Sequence, residues 1–170
     1  ERIALRNFLA NCPEFQQFWA NYFGTPTNSY LLEDPLGEKR VDLGIVSNSN
    51  GVSTNNSIHG LIEVDVFNSW AESYPAHYKY FHVLERKLKY FMESDYNTEP
   101  DPKNGDCGYP YITCTFNKFH NQMVCTTREN IERCLKKYGV QEIYMPKIDA
   151  YDRVVRCPLD ENVFWFGVKQ

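Results

Sequence analysis

No stretch of this 170-residue chain approaches the ~20 consecutive apolar residues that a membrane-spanning helix needs. An integral helical membrane protein is therefore not expected. Positive charge is also scarce: 18 Lys and Arg stand against 22 Asp and Glu, for a net charge of −4. That excludes attraction of the whole molecule to nucleic acid or anionic lipid and leaves only a local basic patch for such a purpose. Complete catalytic signatures are missing too. There is no G-x-S-x-G nucleophile elbow, no Walker-type phosphate loop and no G-x-G-x-x-G turn. His77 and His82 lie five residues apart, which does not bring them to one helix face as an H-E-x-x-H zinc site requires. The opening residues, Glu1 to Arg6, lack the apolar stretch of a signal peptide. Without an initiator Met, the chain is expected to be a processed product or part of something longer.

What the chain has in abundance is aromatic rings: 12 Tyr, 11 Phe and 3 Trp. Rings bury the most area per residue, so they are read first as core. The length fits one domain over residues 1–170, which would remove roughly 70% of its unfolded surface from water.

Periodicity indicates mixed secondary structure. Ile3, Leu5, Phe8 and Leu9 suit a first helix, and Cys12-Pro13 interrupts it. Phe15, Phe18, Trp19, Tyr22 and Phe23 recur at helical steps until Gly24. Val41, Leu43 and Ile45 alternate as a strand, as do Ile58, Ile62, Val64 and Val66, around a Ser/Asn-rich loop at 47–57. Residues 76–93 read as a helix, with Tyr78, Phe81, Leu84, Leu88 and Phe91 on one face. Residues 94–109 form a Pro/Gly/Asp/Asn loop and a possible subdomain seam. Next come a hairpin over 112–125 turning at Asn117-Lys118 and a helix capped by Thr126 with Glu129 and ended by Gly139. Strands at 153–157 and 163–168 close the chain. The sum is a single soluble α+β domain, helices packed on antiparallel β-hairpins.

The six cysteines are Cys12, Cys107, Cys114, Cys125, Cys134 and Cys157. From Cys107 onward the intervening lengths are 6, 10, 8 and 22 residues, unlike the close ligand pairs of zinc sites. We therefore expect disulfides in the C-terminal half, with Cys107–Cys125 ahead of Cys114–Cys125, and an extracellular or lumenal compartment. The Asn55-Asn56-Ser57 sequon makes Asn55 a glycosylation candidate consistent with that compartment.

Chemistry has few places to reside. His59, Glu63 and Asp65 share a strand face at period two, a usable acid/base set that is also what a solvated face looks like. Lys79, His82, Arg86 and Lys89 make a stripe able to hold phosphates, beside Tyr78, Tyr80 and Tyr90 that could stack bases. On the bland reading the stripe is the wet face of an amphipathic helix. No cofactor or metal is implied.

Ile58-His59-Gly60-Leu61 resembles the first active-site motif of the T2 ribonucleases. The segments around Cys114, Cys134 and Cys157 resemble that family's cysteine framework. The resemblance would make His59 a catalytic residue of RNA cleavage. Where the family continues with Trp-Pro, however, this chain has Ile62-Glu63, and the second histidine motif has no counterpart. We do not assign the family. With no complete motif and abundant aromatics, the first expectation is a non-catalytic domain or subunit that binds a protein partner and cleaves no RNA. The alternative is a hydrolytic enzyme, a diverged T2-type ribonuclease using His59, and a further one is a small-ligand carrier. A nucleic-acid partner ranks behind a protein one.

Overall fold

The computed structural model describes residues 2–24, 28–48, 56–88, 109–146 and 148–167. It opens with α1 (Arg2–Asn11) and α2 (Pro13–Phe23), separated at Cys12 and closed by Gly24 in the left-handed conformation. Strands β1 (Ser29–Glu33), β2 (Leu43–Asn48) and β3 (Asn56–Phe67) follow. Then come β4 (Tyr80–Leu84) and the single-turn α3 (Glu85–Leu88). The C-terminal part holds β5 (Tyr111–Asn117), β6 (Met123–Thr127), α4 (Arg128–Tyr138), β7 (Gln141–Met145), β8 (Ala150–Pro158) and β9 (Val163–Phe166). The α+β class stands as expected.

Two sheets result. One has six strands in the order β1-β2-β3-β5-β6-β9, and the other has three, β4-β8-β7. Strand alternation sends each face of the larger sheet to its own core. Ile62, Val64, Ile112, Cys114 and Phe116 meet α1 and α2 through Phe8, Phe15 and Trp19. Leu61, Tyr111 and Val124 face the other way, toward Phe81, Val83, Val155 and the α4 residues Ile131 and Cys134. At the middle of the large sheet β3 and β5 run parallel, with Glu63 beside Thr113. Among the described residues this is the one pairing that departs from the antiparallel pattern, and the crossover between its strands includes β4 and α3.

Several expectations are corrected. Residues 76–93 do not form one helix: 80–84 are strand β4, and only 85–88 are helical. Phe81 and Val83 are buried while Tyr80 and His82 are exposed, the period-two signature, and β8 supplies the partner. The side chains at 81, 84 and 88 satisfy helical spacing by coincidence. Phe91 and Lys89 lie outside the described residues, as do Tyr90, Cys107, Asn55 and residues 94–108.

The β5–β6 hairpin does not turn at Asn117-Lys118. Cys114 pairs directly with Cys125, because the loop extends from 118 to 122. Asn117 sets its length. Its buried side-chain carbonyl accepts from the backbone N–H groups of Asn121 and Gln122, each at 3.0 Å, and its amide donates to Ala71 O at 2.6 Å. Cys12, Cys114, Cys125, Cys134 and Cys157 are all buried free thiols. The expected disulfide framework is therefore absent among the described residues, and the compartment argument loses that support. The α4 cap is Thr127 rather than Thr126, and it accepts from the Asn130 N–H. Thr126 is instead buried, bonded to Asn130 and to Asn162 O. The last two expected strands do not pair as a hairpin, since β8 and β9 belong to different sheets.

Candidate functional site

Asp42 immediately precedes β2, and the Leu43–Ile62 pairing brings it level with Glu63 on β3. Each carboxylate is then held by the other's strand. The Asp42 N–H donates to Glu63 Oε2 at 3.2 Å, and the Val64 N–H donates to Asp42 Oδ2 at 2.9 Å. From the crossover, α3 delivers Lys87, whose Nζ is 2.6 Å from Glu63 Oε1. The Glu63 side chain is only 15% exposed and that of Lys87 24%.

This arrangement bears on ionisation. Burial pushes the Glu63 carboxyl above its usual range, the charge of Asp42 adds to that, and the bond from Lys87 opposes both. Beneath it, the Tyr111 hydroxyl is held well above its ordinary value, by burial first and then by the charges of Glu63 and Asp42. The three charged groups line a cleft of about 310 Å³ together with Asp65, His82, Arg86 and Thr113. His82 is shifted below its usual value, by the loss of solvent around its ring first and then by the neighbouring charge of Arg156.

The residues singled out from the sequence are thus divided. Glu63 and Asp65 line the cleft, but His59 does not. It is the extra residue of a β-bulge, since Ile45 pairs with Gly60 while Val46 pairs with Ile58. The bulge reverses the facing of what precedes it, so Ile58 packs into the second core rather than with Ile62 and Val64. The His59 Nε2 contacts Ser47 Oγ at 2.5 Å. From the basic stripe, His82 and Arg86 line the cleft, while Lys79 lines a neighbouring groove. His120, which the expected hairpin over 112–125 would put in a strand, is in the β5–β6 turn at positive φ.

Asp42 and Lys87 went unnoticed in the sequence because their partner lies 21 and 24 residues away. The available signal was an acid beside an apolar strand start, followed by a second acid inside the next apolar strand. Among the described residues no three His, Cys, Asp or Glu side chains cluster as metal ligands. No described helix is long and apolar enough to cross a membrane.

The chain matches no protein-family model and no curated protein. A solved structure similar to it is that of D212, a nuclease from a fusselovirus, at 11% identity and a TM-score of 0.49, covering 90% of this chain and 79% of that one. The first expectation, a non-catalytic binding subunit, is corrected here. The described residues of this chain bring two carboxylates and an ammonium into one cleft, an arrangement with chemical capacity that the sequence reading had not found.

Proposed function

We propose that the chain is a hydrolase that cleaves phosphodiester bonds of nucleic acid, with Asp42, Glu63 and Lys87 as its reacting centre. The observation that carries this is Glu63, drawn to Lys87 on one oxygen and tied to the Asp42 backbone on the other, in a half-buried cleft. Like charges side by side are costly without a cation to share. Mg²⁺ is commonly held by one or two carboxylates, with water and substrate phosphate completing its shell, so two adjacent carboxylates meet its needs. Asp42 and Glu63 would hold such an ion, which supplies Lewis acidity toward a phosphoryl oxygen.

The chain's own groups fit the rest of the task. Lys87 keeps Glu63 ionised and sets a positive charge where negative charge accumulates on the phosphorus oxygens. Arg86 adds charge at the rim, 3.4 Å from Asp152. Thr113 offers a hydroxyl one strand over. A glycosidase needs its two carboxyls on opposite sides of the scissile bond, whereas these two stand next to each other on one wall. Incubation of the purified chain with labelled DNA and RNA in Mg²⁺ tests the proposal. Cleavage is expected, and it should be lost on chelation and in Asp42→Asn and Glu63→Gln. Cleavage that persists in both variants removes this centre.

A further inference from the structure

The second groove contributes nothing to the reacting centre, yet it adjoins it. It measures about 360 Å³ and is lined by Lys79, Tyr80, Tyr138, Gln141 and Arg156, with no carboxylate among its described lining. In a chain of net charge −4 that is unusual. Two of its walls are exposed rings, Tyr80 at 41% and Tyr138 at 43%. The Arg156 guanidinium lies 5.2 Å from the Tyr80 ring centre, and the Lys137 ammonium lies 5.3 Å from that of Tyr138. Arg156 Nε is buried and has no hydrogen-bond partner, and neither Arg156 nor Lys79 enters an ion pair among the described residues. Six other arginines of this chain are paired with acids, as Arg153 is with Glu85 and Arg128 with Glu132.

The register joins this groove to the cleft. His82 pairs across the small sheet with Arg156, and Tyr80 pairs with Pro158. Tyr80 and His82 therefore share the outer face of β4, about 6.6 Å apart along the strand, with His82 at the edge of the cleft and Tyr80 in the groove. A strand whose phosphate occupies the cleft needs to advance only a short way to reach Arg156.

We infer that this groove is a binding subsite for single-stranded nucleic acid flanking the scissile phosphate: Arg156 and Lys79 take phosphates, and Tyr80 and Tyr138 stack unpaired bases. This rests on the cleft being the reacting centre, and it adds that the substrate strand is unpaired there. Bases hidden in a duplex have no face to offer these rings, whereas in a single strand every base does.

Fluorescence anisotropy in chelator, so that nothing is cleaved, tests the inference on the intact chain. The probes are a single-stranded oligonucleotide of about 12 nucleotides, a trinucleotide and a duplex, each as DNA and RNA. The wild type should bind the long single strand more tightly than the trinucleotide. Tyr80→Ala should reduce that advantage about 10-fold, as expected for one lost stacking contact. Arg156→Ala and Lys79→Ala should each lower the salt dependence by about one phosphate contact. Lys79 precedes β4 on the exposed surface, so its variant reports even if Arg156→Ala fails to fold. A length advantage unchanged in Lys79→Ala and Tyr80→Ala overturns the subsite, as does a duplex that suffers the same losses. Cleavage by the wild type alongside such unchanged binding would retire the groove and leave the cleft standing. Losses confined to the long single strand support the groove even where no cleavage is seen.

Discussion

Lys87→Met removes the ammonium 2.6 Å from Glu63 Oε1 while keeping most of the apolar stem of the side chain. Hydrogen bonds to charged groups contribute about 1.5–3 kcal/mol. Neither partner is more than a third exposed, so solvent does not erase the interaction. The variant should therefore lose about 1.5–3 kcal/mol of stability at neutral pH. The loss should depend on pH with a definite sign. Burial and the charge of Asp42 already push the Glu63 carboxyl up, and without Lys87 it rises further. A carboxyl raised in the folded state binds its proton more tightly there than in the unfolded chain, so stability falls as pH rises through that folded value. Below the ordinary glutamate value of about 4.3 the group is protonated in both states, and the two proteins should converge. Urea denaturation followed by Trp fluorescence, at a pH below about 4.3 and at neutral pH, measures the gap from the midpoints at unchanged m. An equal deficit at both pH values, or none at neutral pH, would refute the reasoning.

Gly60→Ala should cost about 1–3 kcal/mol, the usual range for overpacking. An added Cβ would sit 2.5 Å from Phe23 Cε1, and that ring is confined by Trp19 and Tyr22, so a denaturation midpoint matching the wild type would contradict the core as described. Asn117→Ala should destabilise by at least about 1–3 kcal/mol, because the buried N–H of Gln122 loses its acceptor; thermal unfolding measures it. Thiol titration without denaturant should find Cys12, Cys114, Cys125, Cys134 and Cys157 unreactive, and all five should react after unfolding. A mass increase on alkylation of the unfolded, unreduced chain that accounts for fewer thiols than after reduction would reinstate disulfides.

The parts of the fold that could be read from the sequence are those whose partners are local. In α2, Phe15, Trp19 and Phe23 repeat at four residues, and Pro13 and Gly24 punctuate the ends. Gly139 likewise stops α4. Trouble arose where a short run fits both periods. Phe81-His82-Val83 alternates, yet Phe81, Leu84 and Leu88 also step helically, and only the β8 pairing decides between them. Register was illegible for a related reason. The β5–β6 loop length depends on the hydrogen bonds of Asn117 to residues four and five positions on, which no turn dipeptide announces. The acid/base set was half visible. Glu63 stood out beside His59 at period two, but a bulge at His59 breaks that period. The partners of Glu63 come instead from the start of β2 and from a crossover helix, a convergence produced by sheet topology and not by spacing.

The choice between the two centres can be put to one assay. Single-stranded nucleic acid is incubated in Mg²⁺ with the wild type, Glu63→Gln and His59→Ala. The cleft as reacting centre predicts cleavage by the wild type and by His59→Ala at similar rates, with Glu63→Gln slower by at least about 10²-fold, the lower bound for losing a well-placed catalytic group. Cleavage that vanishes with His59 and survives the loss of the Glu63 charge would contradict the account and return the chemistry to the bulge on β3.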